Sequence, residues 1–129
     1  MEQSSELGNP QERREADLHW LGGFFDGEGC ISIMQYKQRN RTQFNVQARL
    51  VSSESISISQ ATSILDANMV AYHVSKAPPS KIGSKIQWRL SISGWKRILR
   101  FLIVIRPYLR CKFREADITR KLLMFSQNS

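Results

Sequence analysis

The chain has 129 residues, with 19 Lys and Arg against 11 Asp and Glu, a formal net charge of +8. That is one small domain's worth of chain, enough to bury a core and too little for a large enzyme or two independent domains. Residues 1–29 hold 2 basic and 7 acidic side chains (net −5) and residues 30–129 hold 17 basic and 4 acidic (net +13), so the body is a strong cation whose natural partner is a polyanion such as nucleic acid.

Residues 1–16 are polar and acidic and read as a mobile tail, with the domain proper at 17–129. Within that tail Asn9-Pro10-Gln11-Glu12 can open a helix, with Asn9 as cap, Pro10 in the first turn and Glu12 reaching back. From Asp17 the pattern is helical, with Leu18, Leu21, Phe24 and Phe25 on one broad face, and Gly27-Glu28-Gly29 predicts its end near Asp26. Two strands follow, Cys30 to about Gln38 and Gln43 to Val51. In the second, Phe44, Val46, Ala48 and Leu50 alternate with Asn45, Gln47 and Arg49, so the pair reads as a half-buried hairpin turning through Arg39-Asn40-Arg41-Thr42.

Residues 53–67 mix alternation (Ile56, Ile58) with helical spacing (Ala61, Ile64, Leu65). A helix begun by Ser53 or Ser55 is favoured as the link to a second hairpin. That hairpin pairs 70–76 with 85–92 and turns through Pro78-Pro79-Ser80-Lys81. Its second strand puts Ile86, Trp88 and Leu90 on one face and Lys85, Gln87, Arg89 and Ser91 on the other. A helix from Ser93 carries Trp95, Ile98, Leu99 and Leu102 inward and Lys96, Arg97 and Arg100 outward, and stops at Arg106-Pro107. A last helix over 113–125 groups Ile118, Leu122 and Phe125, with Asp117 and Lys121 as an i,i+4 pair. The order α-ββ-α-ββ-α-α predicts an α+β domain on a four-stranded antiparallel sheet.

No apolar run is long enough to span a bilayer, so no membrane partner is expected. The acidic N-terminus is neither a signal nor a transit peptide. Cys30 and Cys111 form no CxxC pair, which argues against a cysteine-based zinc module or a disulfide scaffold and for reduced thiols inside a cell. His19 and His73 have no metal-ligand spacing. Trp20, Trp88 and Trp95 read as core or interface residues.

The informative segment is Leu21-Gly-Gly-Phe-Phe-Asp-Gly-Glu-Gly29. It resembles the nine-residue LAGLIDADG signature of homing endonucleases, type for type at every place. The resemblance extends over about residues 17–125, because the helix-and-two-hairpins order is similar to that family's αββαββα core and Arg106-Pro-Tyr-Leu-Arg-Cys-Lys112 is similar to the segment that precedes a basic catalytic residue. It implies a site-specific double-strand DNA endonuclease, of the kind that serves intron homing, which hydrolyses phosphodiesters and leaves short 3′ overhangs. It implies Glu28 as the catalytic carboxylate and metal ligand, the Gly27 carbonyl as a further ligand, and Lys112 as a positive charge beside the phosphate. After the second strand relatives often carry Gln, whereas this chain reads Ser52-Ser53-Glu54, and Glu54 is the candidate there.

The residues give the motif a physical sense of their own. Consecutive glycines clear one helix face for close packing, since Gly in a helix costs about 1 kcal/mol relative to Ala. One copy of the motif then predicts a homodimer through Leu21, Gly22 and Gly23. The twofold brings two Glu28 carboxylates together, and these need a cation between them. Mg²⁺, or another divalent ion such as Mn²⁺, suits oxygen ligands.

The outer sheet face would form a saddle on double-stranded DNA. Ser32, Met34, Tyr36, Gln38, Asn45, Gln47, Arg49, Lys85, Gln87 and Arg89 are the candidates to read bases, and Arg39, Arg41 and Lys81 the candidates for phosphates. Such a dimer would cover a long pseudo-palindromic site. Two rival expectations share the fold: an RNA maturase, whose partner is intron RNA, and a DNA binder without catalysis. A third, a general RNA-binding α+β domain, calls for exposed aromatics at stacking positions, where only Tyr36 fits. The expected place of work is an organelle (chloroplast or mitochondrion) or a prokaryotic cytoplasm.

Overall fold

The computed structural model describes residues 8–77 and 85–128. Helix α1 (Pro10–Glu28) leads directly into β1 (Gly29–Gln38) and β2 (Arg41–Ser52). Helix α2 (Ser55–Ala67) connects to β3 (His73–Ala77) and β4 (Gln87–Ser93). Helix α3 (Trp95–Ile105), a 3-10 turn (Arg106–Tyr108) and α4 (Phe113–Asn128) complete the chain. The four strands form one antiparallel sheet in the order β1-β2-β4-β3, so the second strand of each hairpin meets the other at the centre. The α+β class and the element order agree with the sequence pattern.

Helix α1 begins at Pro10, inside the expected tail, because the cap at Asn9 works. The Asn9 side chain accepts the Glu12 backbone N–H at 2.8 Å and donates from Nδ2 to Glu12 Oε1 at 3.1 Å, satisfying a donor that helix starts leave unpaired. At the other end the helix runs to Glu28, past the expected stop at Asp26. The first hairpin closes in two residues where four were expected: Arg39 and Asn40 both hold positive φ (53° and 65°). Two left-handed residues make the tight turn whose twist suits a hairpin, and this returns Arg41 and Thr42 to β2. Of the second hairpin, residues 70–72 are not strand. Met69, at φ 57°, ends α2 as the Val70 N–H reaches the Leu65 carbonyl at 2.9 Å and the Met69 N–H reaches Asp66 at 3.1 Å, a Schellman closure that turns the chain before β3 begins. The expected turn at Pro78–Lys81, and Lys81 with it, lies outside the described residues.

The core lies under one face of the sheet. Val46, Ala48, Leu50, Leu90 and Ile92 meet Leu18, Leu21 and Phe25 of α1, Ile58, Ala61, Ile64 and Leu65 of α2, and Ile98, Phe101, Leu102 and Ile105 of α3. The Phe25 and Phe101 rings cross edge to face at 5.2 Å. Two expected stripes shift. In α3 the inward side is Ile98, Phe101, Leu102 and Ile105, and Trp95 at the first turn is exposed. In α4 Ala116, Thr119 and Leu123 are buried while Ile118 and Phe125 are exposed. Small side chains let that helix lie close, which neither hydrophobicity nor spacing signals. Asp117 is also taken by a different partner from the expected Lys121: it pairs with Arg106 at 2.7 and 3.0 Å. Among the described residues no helix is long and apolar enough to cross a membrane.

Candidate functional site

The end of α1 is the meeting point of the sheet, the helix and the segment after α3. No loop separates α1 from β1. The Gly29 N–H caps the helix on the Phe25 carbonyl, and a Cβ on Gly29 would lie 2.6 Å from Cε1 of the Phe25 ring. Only glycine therefore lets the strand leave this close to the helix that it follows.

Asp26 binds this junction to the rest of the chain. Its carboxylate accepts backbone N–H groups from Arg110 (2.6 Å), Cys111 (3.1 Å) and Lys112 (2.8 Å). Burial pushes the Asp26 carboxyl up. The backbone hydrogen bonds from Arg110, Lys112 and Cys111, with the Lys112 charge, outweigh that and hold it below the ordinary value of 3.8. The Lys112 ammonium donates to the Asp26 carbonyl at 2.6 Å, covering one of the free carbonyls at a helix end. The Lys112 ammonium is thus held at a carbonyl two residues before Glu28 in the chain. Glu28 itself is exposed, and it enters no ion pair among the described residues.

The segment that carries Lys112 is fixed on three sides. Leu109 is buried. Upstream, Gly22 admits the 3-10 turn against α1: a Cβ there would lie 2.8 Å from the Tyr108 Cβ. The Tyr108 hydroxyl donates to Glu15 at 3.1 Å, and its ring meets His19 edge-on at 4.9 Å. Burial first, then the Glu15 carboxylate, raises the Tyr108 pKa. Downstream, the Arg106–Asp117 pair ties the turn to α4, with the guanidinium 5.2 Å over the Phe113 ring. The hydrogen bond with Arg106 is the main reason that the Asp117 pKa falls.

These packings correct the expected dimer face. Leu21 is wholly buried and Gly22 packs on Tyr108 of its own chain. Of the three named residues only Gly23 is exposed, and a Cβ there would meet nothing within 4 Å. Gly27 is equally open. Both belong to an outer stripe with Trp20 and Phe24, whose rings lie 5.1 Å apart.

The sheet's outer face is a set of cross-strand rows. From the hairpin tip they are Gln38 with Arg41, Tyr36 with Gln43, Met34 with Asn45, and Ser32 with Gln47 and Ser93. Next come Cys30 with Arg49, Ser91 and His73, then Val51 with Arg89 and Ser75, and finally Gln87 with Ala77. The register therefore brings Ser32, Met34, Tyr36, Gln38, Arg41, Asn45, Gln47, Arg49, Gln87 and Arg89 to one face. Arg39 is in the turn and Lys85 is exposed just before β4. Gln43, His73, Ser75 and Ser93 complete the rows and escaped the sequence reading. Strand parity would have found Gln43, whose side chain accepts the Tyr36 hydroxyl at 3.1 Å. The others needed the pairing partner. Because Gly29 pairs with Leu50, β2 runs on past the start of β1. Glu54, exposed at the N-cap of α2, follows at that same end of the sheet, with its N–H on Ser52 Oγ at 3.0 Å.

No group of three or more His, Cys, Asp or Glu stands ready for a metal among the described residues. Glu28 with backbone carbonyls at the end of α1 is a sparse donor set, one that fits a hard divalent ion only when shared.

Residues 21–76 match the family model described as LAGLIDADG endonuclease. No curated protein matches the chain. Among solved structures, the homing endonuclease I-CvuI, in complex with the I-CreI target in the presence of 2 mM Mg and with the DNA not cleaved, superposes with a TM-score of 0.71 at 18% identity, over 90% of this chain and 71% of that one. The homing endonuclease I-TnaI gives 0.66 at 19% identity, over 86% and 74%. The group I intron-encoded homing endonuclease I-CeuI, complexed with DNA, gives 0.68 at 15% identity, over 88% and 56%. The matched segment, residues 21–76, is thus similar to the LAGLIDADG endonuclease family, and the solved homing endonucleases share this chain's fold.

Proposed function

We propose that the chain is a site-specific, divalent-metal-dependent DNA endonuclease that works as a homodimer. The observation that carries this is the end of α1: it bears an exposed carboxylate, Glu28, without an ion-pair partner among the described residues, and the carbonyl of Asp26, two residues earlier, holds the Lys112 ammonium by a hydrogen bond. An acidic group beside a DNA-binding face repels phosphate unless a cation joins them. A binder without catalysis has no use for it.

The open stripe of Gly23 and Gly27, flanked by Trp20 and Phe24, is the surface on which a second copy packs. It brings two copies of Glu28 together on a twofold axis. Glu28 and the Gly27 carbonyl of each copy would hold Mg²⁺ or a similar ion. When bound, that ion supplies Lewis acidity at the scissile phosphate and a lowered pKa for the attacking water. Lys112 adds positive charge where the phosphate gains negative charge in the transition state. Glu54 stands at the same end of the sheet and orients solvent there.

The rows of the outer face lie in the major groove. Arg49 and Arg89 suit guanine, and Asn45 and Gln47 suit adenine. Arg39 and Arg41 at the hairpin tip take phosphates. A ten-residue β1 spans roughly 33 Å, about ten base pairs at 3.4 Å each, so a dimer covers about twice that.

The test is selection of cleaved sites from a randomised duplex library with Mg²⁺ present. Cleavage of one long, near-palindromic site is expected, lost on chelation and retained as binding in Ca²⁺. Absence of cleavage with tight DNA or RNA binding would overturn the endonuclease reading. A protein that is monomeric on DNA yet cuts both strands would overturn the dimer.

A further inference from the structure

The signature holds two acids two residues apart, and the chain uses them in opposite ways. Glu28 is exposed and outside any ion pair among the described residues. Asp26 directs both carboxylate oxygens at main chain, accepting three successive N–H groups from Arg110, Cys111 and Lys112. Those three residues have no regular structure of their own. They bridge buried Leu109 and the start of α4, where the Lys112 carbonyl accepts the first helical bond from the Ala116 N–H at 3.0 Å. A carboxylate at that point also lies favourably toward the positive end of α4.

The Lys112 side chain is long and flexible, and an ammonium contributes to a transition state only if it stands in place beforehand. Its ammonium reaches the Asp26 carbonyl at 2.6 Å. That reach depends on where the Lys112 backbone sits, and the Lys112 N–H is itself one of the three that the Asp26 carboxylate holds. One residue therefore receives Lys112 at both ends, backbone on the carboxylate and side chain on the carbonyl.

We infer that Asp26 is a positioning residue for cleavage: it clamps residues 110–112 so that the Lys112 ammonium is held at the end of α1, the helix end that also carries Glu28. This rests on Glu28 and Lys112 forming the cleavage centre. It assigns the two acids of the motif separate tasks, Asp26 through main-chain acceptance and Glu28 toward the phosphate and its metal.

The experiment is a double-mutant cycle on the full chain, with the duplex that the unmodified protein selects from a random library as substrate. Single-turnover cleavage is measured at saturating protein in Mg²⁺, binding is measured in Ca²⁺, and each variant is melted thermally. Asp26→Asn leaves one N–H without its acceptor; the cleavage rate is expected to fall ~10- to 100-fold while DNA affinity stays within about threefold. In a Lys112→Ala background the same change is expected to slow cleavage less than about twofold, because the group it positions is gone. An equal loss in both backgrounds overturns positioning and leaves Asp26 a structural residue. Full-rate cleavage by Lys112→Ala removes Lys112 from the reaction and overturns both this inference and that assignment. If Asp26→Asn does not fold, the cycle is run on Asp26→Glu, which keeps both oxygens one methylene out of place, and the same two outcomes decide.

Discussion

The two faces of α1 carry one sequence motif and do different work. Inward, Leu18, Leu21, Gly22 and Phe25 are buried against the chain's own sheet, α3 and Tyr108. Outward, Trp20, Gly23 and Gly27 are exposed, and around the two glycines there is open space. Gly22 and Gly23 are neighbours in sequence, yet the first packs on Tyr108 of its own chain and the second faces open space, where the proposed second copy would approach. A helix turns by about 100° per residue, so one step along the motif crosses from one duty to the other.

Four changes probe that division. The largest effect belongs to the helix end, where both faces stop. Glu28→Gln removes the charge proposed to hold the ion, whose contribution of several kcal/mol would correspond to about a thousand-fold or more in rate. Single-turnover cleavage should collapse while binding in Ca²⁺ persists, and retained cutting would remove Glu28 from the metal site. Next is Gly22→Ala. The added methyl collides with Tyr108 and should cost about 1–3 kcal/mol of fold stability, read as a lower melting temperature. An unchanged melting curve would show that the 3-10 turn yields.

Gly23→Ala should do the reverse. Within one chain its methyl meets nothing, and Ala in place of Gly favours the helix by about 1 kcal/mol. Dimer dissociation, followed by sedimentation equilibrium, should rise about tenfold, equivalent to about 1.4 kcal/mol of overpacking. Unaltered association would locate the dimer contact elsewhere. The smallest effect lies on the far tether of the inner face, Arg106–Asp117. The Asp117 pKa is lowered in the folded chain, so its contribution is whole above the ordinary value of 3.8 and fades as pH falls beneath it. The difference in melting temperature between the unmodified chain and Asp117→Asn should be steady near neutral pH and close in acid. A gap that closes near pH 6 would point to a histidine instead.

The elements that periodicity describes well were those with strong alternation or strong caps. Cys30–Gln38 and Gln43–Val51 read as a hairpin because side chains of opposite character alternate there, and Asn9-Pro10-Gln11-Glu12 read as a helix start because its side chains satisfy the backbone locally. Trp95 and Ile118 depart from the hydrophobic pattern because a large apolar side chain is not thereby a buried one. Whether a large apolar group is covered depends on what lies opposite, and at α4 the small Ala116 and Thr119 faced the core. Glu28 and Lys112 were legible as types in a motif. That Lys112 reaches the Asp26 carbonyl was not, since the two residues are 86 positions apart.

The sequence by itself determined the element order, the polar and apolar faces of the strands, the cationic body and the residue types of the signature. These are local properties, set by backbone geometry and side-chain chemistry within a few residues. Only the tertiary structure decided which glycine faces inward, which acid is spent on main chain and which is left exposed, and how His73, Ser75 and Ser93 join the outer rows. Those depend on contacts between segments distant in sequence, where packing and hydrogen-bond satisfaction choose among partners that the local pattern leaves equivalent.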